Sequence, residues 1–304
     1  KDLAKMSSKS AVKLLAPDEN NGLFRWVALL TGSKNAVKGL GFLLGAAMLA
    51  TLGFVPAVLL MAAILAIILI LVLWRMPQGL PKGRKGAKFT EVFSKNPNIN
   101  WLSAARVFLF GARDVWFVVG IPIYFYAVLS DGTPEGNRAA FFLIGIFMAV
   151  WIILYGAVQA GAPRLLNATQ RDAADLTASA NWWVGTLFFV PATLSALVFL
   201  AAEPTSLLTT AIVVGLLIFG GLFALNSALH SYLILAFTSA ERVTMDVGFY
   251  YMANAGGRLI GTVLSGLTYQ IGGLPLCLAT AAAMIALSRL SIGRLANQKA
   301  AGFA

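Results

Sequence analysis

Apolar residues run along this chain in long stretches, at about 23–53, 54–74, 101–129, 138–161, 179–201, 206–238, 243–271 and 273–293. Each is long enough to cross the hydrocarbon core of a bilayer, which takes about 20 predominantly apolar residues. Irregular backbone cannot face lipid, because nothing there satisfies its N–H and C=O groups, so all eight are expected to be helices. The fold class this predicts is all-α and integral to the membrane. Polar breaks between the runs are short, except the stretch RMPQGLPKGRKGAKFTEVFSKNPN at 75–98.

Composition agrees with that pattern. Of 304 residues, 59% are hydrophobic and 12% charged, against roughly 25% charged in soluble domains. Mean hydropathy is +0.81. A soluble enzyme, a disordered tail and a disulfide-stapled module are excluded. The single cysteine, Cys277, excludes an intrachain disulfide and a multi-thiolate metal site.

The net charge of +11 is placed unevenly. If residues 1–22 are cytoplasmic, then so are 75–100, 162–178, 239–242 and the tail 294–304. Counting Arg289 at the tail's helix end, these segments hold 16 of the 23 Lys and Arg, whereas the opposite connections hold one, Arg138. That asymmetry predicts that both ends lie on the cytoplasmic side. It also explains the basic run at 82–88 without nucleic acid.

The domains expected are 1–74, with two spans, the basic central linker 75–100, and 101–304, with six. Six helices after a long basic linker is the pattern of the second half of a six-plus-six transporter. Residues 1–74 then carry the last two spans of a first half. The chain begins at Lys1 in a polar stretch, and this reading takes it as a piece lacking four upstream spans. A natural eight-span protein is the alternative.

Six basic residues remain within or at the edge of apolar runs: Arg25, Lys34, Lys38, Arg106, Arg113 and Arg258. Each costs roughly 2.5–3.5 kcal/mol at a helix centre, so each needs a partner, a cavity or a route to the surface. Asp114 is the one clearly intramembrane carboxylate, and Asp246 sits near the start of its span. Lys34 and Lys38 are i,i+4 and share a helix face, with Ser33 and Asn35 beside them; Arg106 and Arg113 are i,i+7 and share another. Two doubly basic stripes predict a water-filled cavity for a multiply charged anion.

Each charge also has a plainer reading. Arg25 at a helix start snorkels, and Arg106, five residues into its run, either snorkels or faces the cavity. Arg113 and Asp114 are i,i+1 neighbours on different helix faces, so pairing with each other is not expected. Asp114 then pairs elsewhere or carries a proton. Arg258, with Asn254 at i−4, contacts either the ligand or a neighbouring helix. His230, with Asn226 at i−4, is expected to be an interhelical hydrogen-bond donor. One histidine and one cysteine build no metal site. Gly41–Gly45 and Gly257–Gly261 are GxxxG pairs for close helix approach. Trp101, Trp182, Trp183 and Tyr269 read as interfacial anchors. No GxxxxGK[ST], GxSxG, HExxH or CxxC occurs, so neither an enzyme nor a bound cofactor is expected.

The strings TGSKNAVKG and SAARVFLFGARDVWFVVG, with the opening KDLAKMSSKSAVKLLAP, resemble the ArsJ family, permeases of the major facilitator superfamily. The resemblance is densest over residues 1–45 and 90–125. It implies a helix bundle of that superfamily in a bacterial cytoplasmic (inner) membrane, exporting 1-arseno-3-phosphoglycerate. Glyceraldehyde-3-phosphate dehydrogenase makes that ester when arsenate replaces phosphate, which links the two proteins functionally. Several Lys and Arg suit a substrate with two oxyanion groups, whereas trivalent arsenic would favour thiolates. By charge and spacing, the expected substrate contacts are Lys34, Lys38, Arg106, Arg113, Arg258 and Asn35, with Asp114 as an ion pair or coupling group. A carrier of another organophosphate or organic anion is the alternative. A membrane transferase is a further rival, and no HxxxxD pair or aspartate cluster supports it.

Overall fold

The computed structural model describes residues 12–13, 22–75, 94–201 and 203–295. Most of the expected N-terminal segment, most of the basic linker and the tail from 296 lie outside the described residues. What is described is 91% helix with no strand. The elements are α1 (Gly22–Leu52), α2 (Phe54–Arg75), α3 (Pro97–Val115), α4 (Ile121–Leu129), α5 (Pro134–Leu165), α6 (Ala173–Leu200), α7 (Ser206–Phe237) and α8 (Val243–Gly293).

The helices start where the sequence provides caps. Asn96, Thr133, Asp172 and Thr205 each accept a backbone N–H two or three residues on, and Pro97 and Pro134 open the first turn of α3 and α5. These side chains satisfy donors that a helix N-terminus leaves without partners. Six helical stretches among the described residues are long and apolar enough to cross a membrane. They are Phe54–Arg75, Pro97–Leu129, Pro134–Leu165, Ala173–Leu200, Ser206–Phe237 and Val243–Gly293. The first expected span corresponds to α1, which stands outside those six. Around the buried Ala57, α2 exposes large apolar side chains such as Phe54, Leu65 and Leu73.

Two backbone irregularities shape the bundle. A π turn at Trp116–Gly120 joins α3 to α4 within one continuous rod. It widens the helix by one residue and re-aims the side chains that follow Asp114. The second is a break in α8 at Gly272 and Gly273, where Gly273 has φ 62°, a backbone region open to glycine. The two arms fold back on each other. Thr268 Oγ1 lies 3.2 Å from Cys277 Sγ, although nine residues of straight helix would separate them by about 13 Å. This break falls at the boundary expected between 243–271 and 273–293.

Glycines set the close crossings. A Cβ at Gly257 would strike the Val107 carbonyl, and one at Gly261 the Gly111 carbonyl, so α8 lies backbone-to-backbone on α3. A Cβ at Gly32 would sit 2.5 Å from the Gly156 carbonyl oxygen, bringing α1 equally close to α5. Small residues at such contacts let helices pack where lipid supplies no hydrophobic drive. The other GxxxG pair behaves differently: nothing described lies within 4 Å of a Cβ at Gly41 or Gly45.

Candidate functional site: a basic cavity between α1, α3, α5 and α8

α1, α3, α5 and α8 line a half-open cavity of about 340 Å³, whose polar side is formed by Asn35, Lys38, Arg113, Asp114 and Arg258. Three cations therefore meet one carboxylate there. Phe117, Trp151 and Tyr155 form an aromatic wall with Val118, Met148 and Ile152. The Trp151 and Tyr155 rings are stacked, with centroids 5.7 Å apart.

Asp114 is buried and joins two helices. Its Oδ1 accepts from Arg113 Nε at 2.7 Å and Nη2 at 2.5 Å, and its Oδ2 accepts from Arg258 Nε at 2.8 Å. The expectation that Arg113 and Asp114 do not pair is corrected here. Their Cβ atoms do point to different faces, but the long arginine side chain bends back along the helix. Arg113 also lies over the rings of Phe110, Phe117 and Phe223, at 5.1 to 5.9 Å. A cation held against aromatic faces offsets part of its desolvation.

Each stripe divides. Lys38 and Arg113 line the cavity, whereas Lys34 is exposed on α1 outside its wall. Arg106, 4% exposed, is also off the wall. Its guanidinium neither snorkels nor faces the cavity; it turns into the bundle. Nε donates to Asn254 Oδ1 at 3.1 Å and Nη1 to Ser227 Oγ at 3.2 Å. The Phe110 ring centre lies 3.7 Å from the guanidinium carbon, and Tyr250 covers it from 4.9 Å.

Behind the cavity a polar network continues. Asn35 Nδ2 donates to Gln159 Oε1 at 2.7 Å, and Gln159 Nε2 and the Tyr155 hydroxyl both donate to Ser227 Oγ at 3.0 Å. With Arg106 and Asn254, this network ties α1, α5, α7, α3 and α8 together. His230 does not take the hydrogen-bonding role expected of it. It is fully buried, and neither ring nitrogen has a hydrogen-bond partner among the described residues. Asn226 Nδ2 donates within its own helix, to Leu222 O at 3.0 Å.

Sequence reasoning missed the aromatic wall, Gln159 and Ser227. A signal existed for α5: Met148, Trp151, Ile152 and Tyr155 follow i, i+3, i+4, i+7 spacing and lead to Gln159, the one side-chain amide in that run. Among the described residues, no three His, Cys, Asp or Glu gather as a metal site would require.

No protein-family model, curated protein or solved structure matches this chain.

Proposed function

We propose that this chain acts in secondary active export of a small organic anion, most specifically 1-arseno-3-phosphoglycerate, and so serves arsenate resistance. The observation that carries the reading is the cavity wall: Lys38, Arg113 and Arg258 against the single carboxylate of Asp114. Three cations against one carboxylate give the cavity a net positive wall, which suits a multiply anionic ligand. The resemblance to the ArsJ family narrows the ligand to the arsenate ester. In this reading the helices belong to a bundle like that of the major facilitator superfamily, with eight spans and both ends of the chain on the cytoplasmic side of a bacterial inner membrane. Glyceraldehyde-3-phosphate dehydrogenase supplies the substrate. The protein moves the ester and performs no chemistry on it.

Cys277 supports an oxyanion over trivalent arsenic. It is buried beside Thr268, off the cavity wall, and offers no thiolate to a soft metalloid. A second reading, transport of another organophosphate or organic anion, is favoured by the aromatic wall of Phe117, Trp151 and Tyr155. Such a wall suits a ligand with an apolar portion.

The experiment is a comparison of Lys38→Gln, Arg113→Gln and Lys34→Gln in the full-length protein. Loss of transport in the first two at normal membrane abundance, with Lys34→Gln close to wild type, supports the cavity as the site. Normal transport by both Lys38→Gln and Arg113→Gln overturns it.

A further inference from the structure

Asp114 meets its two arginines unequally. It engages Arg113 through Nε and Nη2 at one oxygen, and Arg258 through Nε alone at the other. A guanidinium has five N–H donors, four of them on the two terminal nitrogens. No described protein group accepts from the terminal nitrogens of Arg258, and its side chain is 48% exposed on the cavity wall. Its end-on fork, the geometry that grips a carboxylate or phosphate with two parallel bonds, is left to a ligand in the cavity that this arginine lines.

We propose that Asp114 is a positioning residue: it holds the Nε edge of Arg258 and the flank of Arg113 so that both cations present donors to one bound oxyanion. This rests on the anion-carrier reading and deepens it. The ligand group is a dianionic phosphate or arsenate, taken end-on by Arg258 and assisted by Arg113, with Lys38 supplying further positive charge. Asp114 is 1% exposed and accepts from both arginines. Both of its oxygens are engaged by arginine donors, so its role is to position them. Two other roles make opposite predictions. A carboxylate that stands in for the substrate would weaken binding, so removing its charge would tighten it. A carboxylate that carries a coupling proton would leave binding at a fixed pH nearly unchanged when replaced by Asn.

The test measures binding of 3-phosphoglycerate to the purified full-length protein in lipid nanodiscs, read by tryptophan fluorescence because Trp151 lines the cavity. The variants are Asp114→Asn, Arg258→Gln and the double variant, with melting temperature recorded for each. The expected result is about a tenfold or greater loss of affinity for Asp114→Asn, from misplacing one charge-assisted contact. The double variant should lose less than the two single losses combined, because part of the carboxylate's effect acts through that arginine. Unchanged or tighter binding by Asp114→Asn overturns the proposal while leaving the anion site standing. Independent, additive losses also overturn it. Absence of binding to the wild-type protein overturns the carrier reading and this proposal with it. If Asp114→Asn does not assemble, Arg258→Lys, which keeps the charge without the fork, carries the test. A tenfold loss supports the proposal, and unchanged affinity contradicts it.

Discussion

Arg106 Nη1 donates to Ser227 Oγ at 3.2 Å, and that hydroxyl also receives Tyr155 and Gln159 at 3.0 Å each. Ser227 is thus the meeting point of α3, α5 and α7, fully removed from solvent. Interhelical hydrogen bonds in membranes average about 0.6 kcal/mol each. Ser227→Ala takes the acceptor from three donors at once. We predict a loss of about 2 kcal/mol in stability, seen as a lower melting temperature in detergent. A melting temperature equal to wild type would show that the network rearranges without cost.

The two GxxxG pairs give a paired prediction on packing. Gly257→Ala and Gly261→Ala each drive a methyl group into the backbone of α3, which cannot move aside without separating the helices. Overpacking typically costs 1–3 kcal/mol, and contact with backbone belongs at the upper end, about 3 kcal/mol. Gly41→Ala and Gly45→Ala meet nothing described within 4 Å. The first two variants should lose monodisperse protein on size-exclusion chromatography, and the second two should keep it. Equal behaviour of all four contradicts the α3–α8 crossing.

The turn before α5 gives a pH prediction. Asp131 accepts from the hydroxyl and the backbone N–H of Thr133, and these bonds hold its carboxyl below the ordinary aspartate range. A depressed folded-state pKa stabilises the fold above the unfolded value and loses that effect as pH falls through the folded one. Asp131→Ala should therefore melt slightly below wild type at neutral pH. The gap should close as pH drops below the ordinary aspartate pKa of about 3.9. A gap that widens on acidification refutes the assignment. The effect is small because the carboxylate is fully exposed.

The helices could be read in the sequence because lipid tolerates little else, and the break at Gly272–Gly273 fell where two apolar runs met. Asn35, Lys38, Arg113, Asp114 and Arg258 stood out for a related reason: a charge or an amide in an apolar helix is costly and conspicuous. Their partners were harder to read. Helical spacing reports where Cβ points, so it gave no sign that Arg113 could bend back to Asp114. Nor did depth in the run show that Arg106 would turn inward onto Phe110 and Tyr250 in place of snorkelling. Aromatic residues lining a cavity look like those facing lipid, which hid Trp151 and Tyr155. The π turn at Trp116–Gly120, which re-aims Phe117 and Val118, carries no local sequence signal that periodicity detects. His230, expected to bond across helices, is instead fully buried without a hydrogen-bond partner among the described residues.

The central claim is tested most directly in everted membrane vesicles containing the full-length protein. Arsenic uptake is measured from arsenate alone, and from arsenate with glyceraldehyde-3-phosphate, NAD and the dehydrogenase. The account predicts uptake only when the enzyme system is present. Equal uptake from arsenate alone, or none in either condition, would contradict it.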